Sequence, residues 1–134
     1  MSPIEAHSSI EKLGKLDESH NPGCYALECN VPDSVESVQR IWLKHFDDPL
    51  PDGYAVELAE SAVALYVGRS GNVYDRIMDH ARAQVRRASF VEAFGVDDIH
   101  GVYADDENSN TAEYNRAVAL ADATTCVWSD GELF

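Results

Sequence analysis

From Tyr66 to His80 the chain reads Tyr-Val-Gly-Arg-Ser-Gly-Asn-Val-Tyr-Asp-Arg-Ile-Met-Asp-His. An apolar run ends on Gly68, a tight turn follows, and Asn72 stands where a helix would be capped. Glycine lets a phosphate or another chain come close to the backbone. The first N–H groups of the helix beyond it favour an anion. Arg76 and His80 are four residues apart and so share one helix face. A cation and an imidazole beside the strand-end Tyr66 suit phosphoryl chemistry, namely charge stabilisation and proton handling. Gly68, Arg69, Ser70 and Asn72 in the turn, with Arg82 further along the helix, are the candidate phosphate contacts. The same spacing equally describes an ordinary solvated helix face, so spacing alone does not choose.

The elements that must position these residues follow from periodicity. Residues 23–29 (GCYALEC) and 63–68 (VALYVG) are short β-like runs, and 99–104 (IHGVYA) is a third. Asp33 and Glu36 have capping-box spacing at the start of a helix to Phe46, with Val35, Val38, Ile41, Trp42 and Phe46 inward. Residues 54–62 read as a short helix. The helix after Asn72 is expected to run to about Arg87, with Val73, Ile77, Ala81 and Val85 inward. Phe90, Val91 and Phe94 are apolar but of no definite type. A helix over 111–122 presents Tyr114, Ala117, Val118 and Ala121, and the chain closes on a strand with an Asp130-Gly131 turn. This order predicts an α+β domain, a small antiparallel sheet of three or more strands flanked by helices. Residues 1–21 are expected to be a partly flexible leader, extended or weakly helical; 22–134 form the domain, with a helical insertion at about 32–62.

Composition bounds the class. The 134 residues carry 24 acidic and 10 basic side chains, a formal charge of −14. That length suits one domain, and a hydrophobic fraction of 45% excludes wholesale disorder. No apolar run approaches the roughly 18 residues of a membrane span. The first residues lack the basic start and apolar block of a secretory signal, so a soluble cytoplasmic protein is expected. Acidity argues at first sight against a phosphate-backbone partner. Yet lysine occurs only at 12, 15 and 44, while arginine supplies seven of the ten cations. Abundant Asp and Glu with little Lys is the pattern of a protein adapted to concentrated salt, which screens the self-repulsion. Five of the ten cations fall between Arg69 and Arg87 (Arg69, Arg76, Arg82, Arg86 and Arg87), a local basic stretch in an acidic body. The three cysteines lack a CxxC pair and read as small buried hydrophobes.

Gly23-Cys24-Tyr25 and Tyr66-Val67-Gly68, then Arg76 ten residues after Tyr66, His80 four further on, and Glu113 on a helix after a third strand, together resemble the GIY-YIG nuclease family. The likeness spans roughly residues 23–128. It implies a phosphodiesterase that nicks or cuts DNA with one divalent ion, Mg²⁺ or Mn²⁺. On that resemblance Tyr25 and Tyr66 position or deprotonate the attacking water, and Arg76 stabilises charge on the phosphate. His80 assists proton transfer or holds the phosphate, and Glu113 binds the metal. The expected substrate is DNA, branched, nicked or weakly specific duplex, because a chain this short leaves little for reading sequence unless a protein partner supplies it; no membrane partner is expected. Three departures stand out. Tyr25 and Tyr66 are 41 residues apart, far more than in the family. Cys24 stands where the family has isoleucine. The family's late asparagine has no counterpart, since no Asn follows Asn115.

Other readings stay open. A catalytically inert GIY-YIG-like module that binds nucleic acid or protein would keep the fold without the reaction. In an acidic interaction protein, Arg76 and Glu113 would be structural. Glu113 in particular sits three residues after Asn110, so it could cap its own helix. Asp105, Asp106 and Glu107 read as a solvated loop, and His7, His20, His45 and His100 have no evident partner. Convergence decides between these readings: Tyr25, Tyr66, Arg76, His80 and Glu113 either face one another or they do not.

Overall fold

In a computed structural model, residues 1–82, 88–123 and 126–134 are described. Cysteine, tyrosine, alanine and leucine follow one another along the first strand, β1 (Gly23–Cys29), which is buried on both faces. It lies between β2 (Ala64–Ser70) and β3 (Val96–Tyr103), antiparallel to both. β4 (Cys126–Ser129) then adds to β2 in parallel, and β5 (Glu132–Leu133) closes an antiparallel hairpin on β4. The sheet therefore has five strands in the order β3-β1-β2-β4-β5. The α+β class is as expected; the sheet is mixed rather than purely antiparallel. The hairpin turn uses Asp130 (φ 50°) and Gly131 (φ 79°), the left-handed pair that a tight hairpin requires.

Alternation along the strands sorts side chains onto two faces. Ala26, Leu65, Val67 and Val127 point to one, where α6 (Asn110–Ala123) covers them with Ala117 and Leu120. Tyr114, expected in that stripe, is 57% exposed. Tyr25, Leu27, Ala64 and Trp128 point to the other face, which holds the larger core. There α1 (Pro3–Lys12), α2 (Val35–His45), α3 (Tyr54–Glu60), α4 (Val73–Arg82) and α5 (Ser89–Phe94) contribute to a single apolar cluster.

Of the extended and helical alternatives for the first residues, the structure has the helix, α1. Ser2 and Glu5 form a reciprocal capping box on α1, Glu5 N donating to Ser2 Oγ (3.2 Å) and Ser2 N to Glu5 Oε1 (3.0 Å). Ala6 and Ile10 are fully buried, and Ser9 donates to Asp98 on β3 (2.8 Å). Burying Ile10 alone is worth about 2 kcal/mol, which offsets the entropy that favours a loose segment. His7, for which no partner was evident, bonds Tyr74 Oη at 2.8 Å, and His20 lies against the same ring (4.6 Å between centroids).

The insertion between the tyrosine-bearing strands is built as expected from α2 and α3, with one shift. Ser34, not Asp33, caps α2, its Oγ accepting from Ser37 N (3.1 Å). Val38 and Trp42 are its buried positions, while Val35 is exposed. Both helices pack on the larger-core face, so β1 and β2 pair without interruption from Gly23↔Ser70 to Cys29↔Ala64. Phe90, Val91 and Phe94 prove to be the buried side of α5. The expected continuation of α4 to Arg87, including Val85, lies outside the described residues. Cys24 and Cys29 are buried and all three cysteines are free thiols. Among the described residues no helix is long and apolar enough to cross a membrane.

Candidate active site

Tyr25 and Tyr66 sit on neighbouring strands and on the same face. The register pairs Leu27 with Tyr66 and Tyr25 with Gly68, so the two tyrosines lie diagonally across the ladder. Their ring centroids are 6.3 Å apart. Gly68 makes room for this: a Cβ there would lie 2.5 Å from Tyr25 Oη and 3.0 Å from Tyr66 Cε2. Its glycine therefore serves the tyrosines by close approach of side chains.

Helix α4 crosses above them. Asn72 caps it, Oδ1 accepting from Asp75 N (3.0 Å), and Ser70 Oγ donates to Asn72 O (2.9 Å) and accepts from Asn72 N (3.1 Å). Val73 N donates to Asn21 O (3.3 Å), which ties the helix start to the turn before β1. Ser70 and Asn72 thus use the polar atoms expected to contact phosphate to shape the turn. Val73, Ile77 and His80 are buried, so the histidine faces the sheet. His80 Nε2 lies 2.8 Å from Tyr25 Oη, with the direction of donation set by the tautomer. The Tyr66 ring meets His80 edge-on at 5.7 Å.

Charge links two further residues to this cluster. Burial pushes the Tyr66 phenol up to about 12, Glu113 adds to the rise, and Arg76 and a hydrogen bond from Tyr25 oppose it. Burial likewise raises Tyr25 well above the ordinary tyrosine value; Tyr66 and Glu113 add to this, and Arg76 opposes it by charge and hydrogen bond. Both tyrosines are consequently neutral phenols at physiological pH. Arg76 is 4.0 Å from Asp79, a pair of modest energy because both ends are partly exposed.

Glu113 reaches the cluster from the opposite side of the sheet. Ser109, not Asn110, caps α6: its Oγ accepts from Ala112 N (3.2 Å). The carboxylate is therefore not tied up in a capping box. Instead Oε1 accepts from Ser129 Oγ (3.3 Å) and Oε2 faces Arg69 Nε at 3.9 Å. Burial raises its pKa, while Arg69 and Ser129 oppose the rise. Arg69 is itself held by Asn108 Oδ1 (2.9 Å) and Asn110 Oδ1 (2.8 Å). Sequence reasoning missed Ser129 and Asn108 and took Asn110 only as a possible helix cap; each matters through a partner at least 16 positions away.

The structure thus brings Tyr25, Tyr66 and His80 into direct contact and sets Arg76 and Glu113 within electrostatic reach. It does not gather the described arginines of that stretch, Arg69, Arg76 and Arg82, into one concave patch. Arg69 faces α6, whereas Arg82 pairs loosely with Asp79 (3.9 Å) and lines a groove with Ile4, His7 and Tyr74 on the α1 side. Arg86 and Arg87 lie outside the described residues. Among the described residues no group of three or more His, Cys, Asp or Glu side chains could hold a metal ion. A single partly desolvated carboxylate is the donor set of a hard cation that keeps most of its waters, and is unlike a zinc or two-metal centre. Comparison with family models, with curated proteins and with solved structures returned no match.

Proposed function

We propose that this chain is a metal-dependent DNA endonuclease of GIY-YIG type, acting in the cytoplasm on branched, nicked or weakly specific duplex DNA. The observation that carries the reading is the Tyr25–His80 hydrogen bond of 2.8 Å, with Tyr66 packed on both rings and Arg76 acting on both phenols. These residues come from two strands and a helix that the sequence separates by up to 55 positions. An acidic interaction protein has no use for that convergence.

In the reaction, water adds to phosphorus, one P–O ester bond breaks, and the leaving oxygen takes up a proton. Tyr25 and Tyr66, as neutral phenols, hydrogen-bond and orient the water and phosphate and do not act as phenolate bases. His80 accepts or returns a proton through Tyr25 Oη. Arg76 balances charge on the phosphate oxygens as it develops. Glu113 would hold one Mg²⁺ or Mn²⁺ through a carboxylate oxygen; when bound, such an ion lowers the pKa of the attacking water and screens the phosphate.

The second reading, a catalytically inert GIY-YIG-like module that binds nucleic acid or protein, draws on one observation. Arg69 Nε stands 3.9 Å from Glu113 Oε2, a resident cation at the metal position, in a chain with no asparagine after Asn115. A nicking assay on branched and supercoiled DNA in molar KCl separates the two. Wild-type activity that requires Mg²⁺ or Mn²⁺ and falls about 100-fold or more in Arg76→Ala and Glu113→Ala is expected. Binding without cleavage by wild type would leave the inert module, and equal cleavage by all three proteins would place the site elsewhere.

A further inference from the structure

Beside the tyrosine–histidine cluster lies a cleft of about 460 Å³, within the size range of small-ligand sites. Tyr66, Trp42, Trp128, Pro51 and Ala88 form its apolar wall, and Asp130 stands at it from the hairpin turn. We infer that this cleft receives an unpaired nucleobase adjoining the phosphate held at the active site, so that the substrate is DNA with an extrahelical or otherwise unstacked base. The inference rests on the endonuclease reading and names the substrate class of that same site.

Three features carry it. Tyr66 belongs to both places: its ring lines the cleft and packs against Tyr25 and His80. An occupant of the cleft is therefore one side chain away from the proposed phosphate position. The wall is also fixed in advance. Trp42 Nε1 donates to Asp48 O (3.0 Å), and Trp128 stacks on Phe90 at 5.1 Å and 17°, so neither indole must be ordered on binding. Charge then selects the occupant. Among the described residues Asp130 is the only charged group lining the cleft, and neither Arg69 nor Arg76 does so. A carboxylate repels a phosphate but accepts from a base N–H or exocyclic amine. Anion-binding and apolar regions thus stand side by side, as a nucleotide's own phosphate and base do.

A base stacked in a duplex cannot reach the cleft, and one already unpaired costs least to admit. The insertion between the two tyrosine strands gains a purpose here, because it supplies Trp42 and Pro51.

Trp42 and Trp128 are the chain's two tryptophans and both line this cleft, so tryptophan emission responds to its occupant, although Trp42 also borders a second pocket beside His45 and Phe46. The test compares a duplex carrying one extrahelical adenine with the same duplex carrying an abasic residue there, in EDTA to prevent cleavage. Expected are a change in tryptophan emission with the adenine duplex only, and binding about tenfold weaker by anisotropy for the abasic one. Ala88→Leu, which narrows the cleft away from the reacting groups, should abolish that preference while leaving the residual binding. Equal affinity and identical emission for both duplexes would overturn the base pocket and leave the endonuclease reading intact. Absence of binding to either duplex, together with absence of nicking, would overturn both. The comparison of duplexes on wild type decides the matter even if Ala88→Leu fails to fold.

Discussion

At the scale of residues, the decisive fact is that two phenols and an imidazole pack against one another, Tyr25 and His80 buried and Tyr66 partly so. Removing the hydroxyl in Tyr25→Phe takes away the 2.8 Å partner of the buried His80 Nε2. The expected cost is about 1–3 kcal/mol in urea unfolding, with loss of nicking. A cost near zero would mean that the bond is not formed in solution. Tyr66 has a signature in pH. Its folded pKa, about 12, lies above the ordinary 10.0, so the folded state holds the proton more tightly than the unfolded chain. That stabilisation is fully present below 10.0 and is lost as pH rises toward 12. Wild type should therefore lose stability relative to Tyr66→Phe once pH exceeds 10.0, and the difference between them should be flat below it. A difference that stays flat above that value would show that Tyr66 is not desolvated. The types of these residues and the Arg76–His80 spacing were legible in the sequence. Their hydrogen bond was not, because 55 residues separate its ends.

At the scale of elements, the helices and strands were mostly legible and their ends were not. Asp33 and Asn110 are good caps by type, yet Ser34 and Ser109 do the capping. Adjacent residues with similar side chains compete for the same N–H groups, and tertiary partners settle the contest. Asn110 is drawn to Arg69 instead, which leaves Glu113 one position too far along to close a capping box and frees it for Ser129. Ser109→Ala should cost about 1 kcal/mol in urea unfolding. Asn110→Ala should spare the helix cap and act on Arg69 alone. Equal losses from the two variants would return the cap to Asn110. Helix α1 is legible only as a weakly helical alternative because its amphipathic face has just two buried residues, Ala6 and Ile10.

At the scale of the whole molecule, the charge of −14 takes on a sharper meaning. Spread over the surface, it should be costly in dilute buffer, where the screening length is long. Raising salt from about 0.1 M to 1 M shortens that length from about 10 Å to 3 Å. The melting temperature should accordingly rise by about 5 °C or more between dilute and molar KCl, a gain of roughly 1 kcal/mol for a domain of this size. A flat curve would show that the acidity is not an adaptation to salt. The arginines that looked like one basic stretch are divided by the fold. Arg69 turns to α6 and Arg82 to α1, which leaves Arg76 with the tyrosines. On the endonuclease reading, phosphate binding would depend on a few placed groups more than on a basic surface.

The sequence by itself determined most of the strands and helices, though it left α1 between two alternatives and α5 undefined, and it determined that the protein is α+β and that Arg76 and His80 travel together on one helix. These are local properties, set by side-chain period and by spacing within a few turns. Only the tertiary structure decided that β4 would join β2 in parallel, that Ser129 would meet Glu113, and that Trp42 from an insertion would open a cleft onto Tyr66. Each is a pairing between distant positions, chosen by how whole layers bury their apolar faces, and no window along the chain contains both partners.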